Sequence, residues 1–364
     1  MNIAPQSKFL IVSLRYIGDV LLSTPLALSI KQHFPEAQVD YLVFKGTEGI
    51  LAKNPYVRKV HVLTSGTGSP MTFFNVLRRY DFAIGVNPSD RTAIYAGAAA
   101  KNSIGFSYFL GQDWWKKHLL SECRLYDDDK HIVPLVLSQL EPLGIPLERR
   151  VIIRFDAEDA HFARQHLGEN YVLLHPYTRQ SYKYWPAESW ARFAELVETK
   201  AGMKAIFTRS GSAHDEAQFA TIEQAAGKPL RSFSRPFTLT QLAAAIRGSA
   251  GYIGVDTVAT HMAAALDVPM IALFGPTFVH NWGPWPNGWQ DDHPYQRTGR
   301  IQQHGRITVV QQAWPCVPCG LQACPISKRN KIECMESLSP RAVYMEFESR
   351  VLGANKPQQL LPLS

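Results

Sequence analysis

The chain has 364 residues, of which 46% are hydrophobic and 19% charged, the composition of an ordinary soluble globular protein with room for two domains. Its formal charge of +7 suits anionic partners such as a phosphorylated substrate or an acidic membrane surface, but no block of five or more Lys/Arg concentrates that charge as a dedicated nucleic-acid binder would. No apolar run approaches the roughly 18–20 residues that span a bilayer, and the first residues lack the basic-then-apolar pattern of a secretory signal, so a cytoplasmic location is expected.

The apolar run Phe9–Leu14 predicts a strand, followed by Gly18-Asp19 and an amphipathic helix from about Val20 to His33, which Phe34-Pro35 ends. Strands are predicted at Val39–Phe44, Val60–Leu63, Phe82–Val86 and Ser103–Phe106, with helices over Phe73–Arg79 and Ala93–Ala100. Residues 111–129, rich in Trp, Lys and Asp, read as a loop. There Asp127-Asp128-Asp129 reads as solvated charge, and Trp114-Trp115-Lys116-Lys117 as half-buried packing, a sugar platform or a membrane contact. A helix follows at Ile132–Leu143, and 152–169 reads as a linker into a second βα series. That series has strands at Tyr171–Pro176, Lys204–Thr208, Gly251–Val255 and Met270–Phe274. The alternation predicts two doubly wound α/β halves, each a parallel sheet covered by helices on both faces.

In such sheets ligands bind outside the carboxyl ends of the strands, so the polar turns there are the candidate chemistry. Gly18-Asp19 follows the first strand: glycine permits a tight turn, and the carboxylate is either a helix cap or a base for a substrate hydroxyl. After Tyr171–Pro176, the cations Arg179 and Lys183 stand four residues apart in a loop with Thr178, suited to a pyrophosphate or simply solvated. Trp185-Pro186 predicts the start of the next helix. Asp256-Thr257, with His261 one turn into an Ala-rich helix, sits at a helix N-terminus, where unpaired N–H groups and a partial positive charge favour phosphate. Asp256 reads there either as the N-cap or as a ligand group. The next strand closes on Gly275-Pro276-Thr277. There is no G-x-G-x-x-G, Walker sequence or G-x-S-x-G, which disfavours dinucleotide, P-loop and serine-hydrolase readings.

Four of the five cysteines, Cys316, Cys319, Cys324 and Cys334, fall close together. In a reducing compartment they close a structural zinc site or remain reduced packing thiols, and both readings stand at this level.

Taken together, these motifs resemble glycosyltransferase family 9, the lipopolysaccharide heptosyltransferases, and within it the heptosyltransferase III branch that adds a side-branch heptose to the inner core. The resemblance covers nearly the whole chain. It rests on Ser13 to Leu22 with Thr24-Pro25, Asn54-Pro55-Tyr56-Val57, Asp90-Arg91 and Gly105-Phe106, then on Lys183-Tyr184-Trp185-Pro186, Gly254-Val255-Asp256-Thr257 with His261, and Phe274-Gly275-Pro276-Thr277. The cysteine cluster resembles one found in many members. Two positions depart from some relatives: Val258-Ala259 stand where a Gly-Leu-type pair follows Asp-Thr, and Arg179 stands where a second threonine occurs. These departures bear on donor contacts rather than on the fold.

The resemblance implies a GT-B fold, two Rossmann-like domains facing a central cleft, with 1–155 binding the acceptor and 156–354 the nucleotide sugar; the terminal stretch 355–364 reads from its position as a flexible tail. The resemblance also implies inverting, metal-independent transfer of heptose from ADP-heptose to a lipopolysaccharide inner-core hydroxyl. Asp19 is then the general base and Lys183 the cation on the diphosphate. Gly18, Thr178, Arg179, Asp256, Thr257, His261, Gly275, Pro276 and Thr277 are the remaining substrate-binding positions. Single in-line displacement needs a base on one face of the sugar and a stabilised leaving group on the other, with domain closure excluding water. No catalytic cofactor is expected, and zinc at Cys316, Cys319, Cys324 and Cys334 would be structural. The expected partners are ADP-heptose and the lipid A–core acceptor, with peripheral contact at the inner face of the cytoplasmic membrane and no nucleic acid. The alternatives are another nucleotide sugar or polysaccharide acceptor, a non-catalytic nucleotide-sugar-binding module, and a zinc-dependent nucleic-acid binder.

Overall fold

The computed structural model describes residues 3–64, 70–109, 111–233, 237–327 and 331–353; the tail expected over 355–364 lies outside them. The chain forms two units, one running to Arg154 and taking in Asn287–Pro294, the other formed by Phe155–Pro286 and the chain from Tyr295 on.

The first unit holds strands β1 (Lys8–Ser13), β2 (Gln38–Phe44), β3 (Lys59–Leu63), β4 (Phe82–Gly85), β5 (Asn102–Ser107) and β6 (Glu122–Leu125). They form one sheet in the order β3-β2-β1-β4-β5-β6, and every pairing is parallel. A parallel sheet is covered on both faces, which is why β1 is apolar without alternation and Phe9 to Val12 are fully buried. The helices are α1 (Ile17–Leu22), α2 (Thr24–His33), α3 (Pro70–Val76), α4 (Asp90–Ala99), α5 (Trp114–Leu119) and α6 (Ile132–Leu137). Leu10 and Val12 of β1 pack with Ala93, Ala96 and Ala99 of α4. The strand order reverses between β1 and β4, and the turns after those strands carry Asp19 and Asn87.

The second unit has α7 (Ala157–Leu167), β7 (Tyr171–His175), α8 (Ala187–Lys200), β8 (Lys204–Phe207), α9 (Ala213–Ala226), α10 (Leu239–Arg247), β9 (Gly251–Val255), α11 (Val258–Ala265), β10 (Met270–Phe274) and α12 (Val279–Trp282). It ends with β11 (Gln302–His304), β12 (Ile307–Gln311), α13 (Glu333–Glu336) and α14 (Pro340–Phe347). The sheet order is β11-β12-β10-β9-β7-β8, parallel except for the edge strand β11. Trp190, Phe193, Ala194 and Val197 of α8, at helical spacing, bury one stripe in the core with Val172 and Phe207. Here the order reverses between β7 and β9, whose carboxyl ends carry the Lys183 loop and Asp256.

Several elements differ from the expectation. The single helix over Val20–His33 is two, broken at Ser23. Pro25 has no N–H to give Leu21, and its ring would crowd that carbonyl. The Thr24 hydroxyl donates to the Leu21 carbonyl instead (2.7 Å) while accepting from the Ile152 N–H (2.9 Å). Gly18 is not in a turn requiring glycine: it lies in the first turn of α1. The stretch 111–129 is not all loop, because it contains α5 and the edge strand β6, which pairs with β5. The linker 152–169 contains α7, capped by Asp156, whose Oδ1 accepts from the Asp159 N–H (3.0 Å). The helix expected over Ile132–Leu143 tightens into a 3₁₀ turn from Ser138, with Pro142 inside it. Pro186 is the N-cap of α8, one residue before the helix. Strands β11 and β12 have no counterpart in the expected elements.

Candidate active site

In the first unit the site grows from the end of β1. Asp19 occupies the first turn of α1 and is nearly buried (9% exposed). Its Oδ2 accepts from the Tyr16 N–H (3.3 Å), and its Oδ1 lies 3.9 Å from the guanidinium of Arg15. Asp19 therefore serves as a helix N-terminal acceptor and sits beside a cation. Around it Tyr108 and Tyr126 are held protonated chiefly by burial, with the charge of Asp19 adding to the effect. Fully buried Ser13 Oγ, at the end of β1, has no hydrogen-bond partner among the described residues. Asn87, after β4, lies outside the expected set. Its Oδ1 accepts from the hydroxyls of Thr92 and Ser89, and its buried amide nitrogen finds no partner among the described residues. The only sequence signal for it is its place at a strand's carboxyl end.

In the second unit the loop after β7 folds as a 3₁₀ turn over Ser181–Lys183. It delivers Lys183 to the end of β9, where Nζ lies 2.6 Å from Oδ2 of Asp256. Asp256 is thus not the cap of α11. The N-cap is Thr257, whose side chain makes no capping bond, so the first N–H groups of α11 keep their capacity for a ligand. Thr257 Oγ1 lies near the Tyr252 hydroxyl without a hydrogen bond of acceptable geometry among the described residues. His261, one turn on, is buried with Nδ1 likewise unpartnered among them. Burial, helped by Lys183 and opposed by Asp256, pushes its pKa down to about 4, so the ring is neutral near pH 7 and donates through one nitrogen only. Beside β9, β10 ends in Gly275-Pro276-Thr277, with the Thr277 hydroxyl also buried and unpartnered among the described residues. This turn is fixed by Gln311 at the end of β12, whose amide donates to the carbonyls of Gly275 (2.7 Å) and Thr277 (3.0 Å). Gln311 escapes a reading that does not identify β12.

Thr178 is buried and its Oγ1 accepts from the Gln180 N–H (3.3 Å). Arg179 is exposed and not drawn in beside Lys183. His214 of α9, also absent from the expected set, contacts both ends of this loop: its Nε2 is 2.8 Å from the Tyr184 hydroxyl and 3.1 Å from the Thr178 carbonyl. The structure thus gathers Lys183, Asp256, Thr257, His261 and Thr277 around the carboxyl ends of β7, β9 and β10. Buried polar atoms without partners are costly unless something meets them, and donors beside a lysine and a helix N-terminus are what a phosphorylated ligand meets.

The cysteines stand apart from this chemistry. Cys316, Cys319, Cys324 and Cys334 line one cavity of about 40 Å³ with Trp314 and Ile332. Burial, with the neighbouring thiols adding, pushes Cys334 up to about 12. Among the described residues no three His, Cys, Asp or Glu side chains are arranged to hold a metal ion. Of the tryptophan pair, Trp114 is exposed and Trp115 packs against the core, while Lys116 is buried, paired with Asp90 and Asp113 (3.0 Å each).

The model of glycosyltransferase family 9 (heptosyltransferase) matches residues 73–290, more than half of the chain. Lipopolysaccharide heptosyltransferase 3 of Escherichia coli (strain K12) is 30% identical over 290 residues, covering 75% of this chain and 83% of that protein. Among solved structures, a family 9 glycosyltransferase from Veillonella parvula superposes with a TM-score of 0.72 at 18% identity, covering 95% of this chain and 97% of that one. The E. coli ADP-heptose lipopolysaccharide heptosyltransferase II gives 0.69 at 17% identity, covering 95% and 99%. These likenesses establish the GT-B fold. The chain belongs to glycosyltransferase family 9, the heptosyltransferase family, and is a glycosyltransferase.

Proposed function

We propose that this enzyme transfers heptose from ADP-heptose to a hydroxyl of the lipopolysaccharide inner core, with inversion and without a metal ion. The observation that carries the reading is the group at the ends of β7, β9 and β10: an uncapped helix N-terminus, the Lys183–Asp256 pair, and buried Thr257, His261 and Thr277 atoms lacking partners among the described residues. Lys183 and the N–H groups of α11 supply the positive charge that a departing diphosphate requires, the role a divalent cation plays elsewhere. Neutral His261 and the two threonine hydroxyls orient the phosphates or the sugar as single hydrogen-bond partners. Asp19 takes the proton of the acceptor hydroxyl as that oxygen attacks the anomeric carbon and the bond to ADP breaks. Arg15, with its guanidinium 3.9 Å from Asp19 Oδ1, lies beside the same carboxylate.

The name of the E. coli relative supports the acceptor class, and an acceptor anchored in lipid supports a working position at the inner face of the cytoplasmic membrane. No helix among the described residues is long and apolar enough to cross that membrane. For the four thiols on one cavity, no three of which are arranged to hold a metal ion, the reading is reduced packing thiols; metal analysis of the purified protein showing one zinc per chain would overturn it.

The test is transfer itself. With EDTA present, ADP-heptose and a core acceptor lacking the side-branch heptose should yield an acceptor one heptose heavier, with the anomeric configuration inverted by NMR. Transfer only from a different nucleotide sugar overturns the donor assignment, and donor binding without turnover overturns the enzyme's proposed reaction.

A further inference from the structure

Helix α3 of the first unit presents apolar side chains outward. Met71 is 72% exposed, Phe74 63% and Leu77, in the turn that follows, 37%. They recur every third residue, so they form one stripe on the outer surface while Phe73 and Val76 face inward, Phe73 meeting Tyr95 of α4 with ring centroids 5.7 Å apart. Scattered exposed apolar residues are ordinary, but a contiguous stripe on a helix marks a contact surface.

The stripe ends in cations. Arg78 and Arg79 follow it directly and are exposed. The Arg78 N–H bonds to the Ala98 carbonyl and the Tyr80 N–H to that of Ala99, which brings the arginines to the end of α4, where exposed Lys101 follows. No acidic residue lies in α3, and Asp81, the acid that follows the arginines, turns back to accept from the Lys8 N–H of β1 (2.7 Å).

We propose that Met71, Phe74 and Leu77, with Arg78, Arg79 and Lys101, form the surface by which this enzyme docks on an anionic phospholipid bilayer. The inference deepens the reading of a lipid-anchored acceptor and rests on it. A short helix with Met and Phe outward and cations at its end matches an interfacial contact, in which apolar side chains enter the headgroup boundary and cations meet lipid phosphates. A second copy of the chain fits less well. At about 200 Å² per side chain, the stripe falls short of the roughly 800 Å² per partner of a specific interface, and like-charged rims would repel.

The full-length protein is floated with vesicles of phosphatidylcholine alone and with vesicles of phosphatidylethanolamine and phosphatidylglycerol, at low and high salt. It should bind the anionic vesicles and lose most binding at high salt. Arg78→Ser/Arg79→Ser should weaken that binding by about fivefold per cation, and Met71→Ser/Phe74→Ser should abolish it. The thermal unfolding midpoint should be unchanged in both variants, which shows the first unit folded, and calorimetric titration with ADP should be unchanged too, which separates failure of this surface from failure of the donor reading. Absence of vesicle binding by the wild type, binding indifferent to these substitutions, loss through Phe109→Ser/Trp114→Ser instead, or conversion of a dimer to a monomer by Phe74→Ser would each overturn the proposal.

Discussion

Replacing Lys183 by methionine separates what the Lys183–Asp256 pair does for stability from what it does for the donor. The pair is short, 2.6 Å, with Asp256 at 7% side-chain exposure and Lys183 at 18%. Removing one partner of a fully buried pair costs about 3–5 kcal/mol, because the other charge is left without compensation. The partial exposure of Lys183 lets water reach Asp256, so we expect about 2–3 kcal/mol for Lys183→Met, a discount for solvent screening. For a unit of this size that lowers the midpoint of thermal unfolding by roughly 5–10 °C. The double change Lys183→Met/Asp256→Asn removes both charges and should recover most of the loss, since replacing both members of a buried pair is nearly neutral. Donor affinity behaves differently. A charge-assisted bond to the diphosphate contributes about 1.5–3 kcal/mol, so both variants should bind ADP roughly 10- to 150-fold more weakly. Urea unfolding and calorimetric titration on the three proteins read the two effects separately. Unaltered ADP affinity in Lys183→Met would refute the assignment of Lys183 to the diphosphate. A double variant no more stable than the single one would refute the account of Asp256 as a charge that needs its partner.

Asp19→Asn should keep ADP affinity within about twofold and lower kcat by about 10²–10⁴-fold, the usual contribution of a general base; steady-state transfer and titration check both, and wild-type turnover would remove Asp19 from the reaction. His175 and His261 both have pKa values pushed down to about 4 by burial, against 6.5 ordinarily. The unfolded chain therefore takes up protons first, and stability is complete above about pH 6.5 and lost as pH falls toward 4, by up to about 3 kcal/mol per histidine. Urea midpoints against pH should show this slope, and His261→Asn should roughly halve it, leaving the part due to His175. Gly275 leaves no room for a side chain, because a Cβ there would lie 2.7 Å from Cγ and 2.8 Å from Sδ of buried Met335. Gly275→Ala should cost about 1–3 kcal/mol by overpacking, and Met335→Ala in the same chain should offset part of that loss in urea unfolding.

The strands that position the site are legible because parallel strands covered on both faces are continuous apolar runs: Phe9–Val12, Tyr171–Leu174 and Met270–Phe274 need no tertiary information. Edge strands lose that signature. In β6 Glu122 and Arg124 interrupt the pattern, since an edge strand is only half covered. β12 is an inner strand, between β11 and β10, whose β-branched Ile307 to Val310 follow a turn at Gly305 (φ +55°), yet polar neighbours on both sides obscure it. The break at Ser23 is written in Pro25, but the Thr24 hydroxyl's bond to Leu21 depends on the folded backbone. At the site, residue types at strand ends point to Lys183, Asp256, Thr257 and His261 individually. That Asp256 pairs with Lys183 rather than capping α11, and that Gln311 braces the Gly275–Thr277 turn, depend on contacts between segments 73 and 36 positions apart, which no local pattern encodes.

The second unit should recognise an ADP-linked heptose through its own residues. The decisive experiment is calorimetric titration of the purified protein with ADP-heptose, ADP and UDP-glucose in EDTA. Both ADP ligands should bind at micromolar concentration without metal, and more weakly to Lys183→Met; a preference for UDP-glucose, or no nucleotide binding, would exclude that recognition.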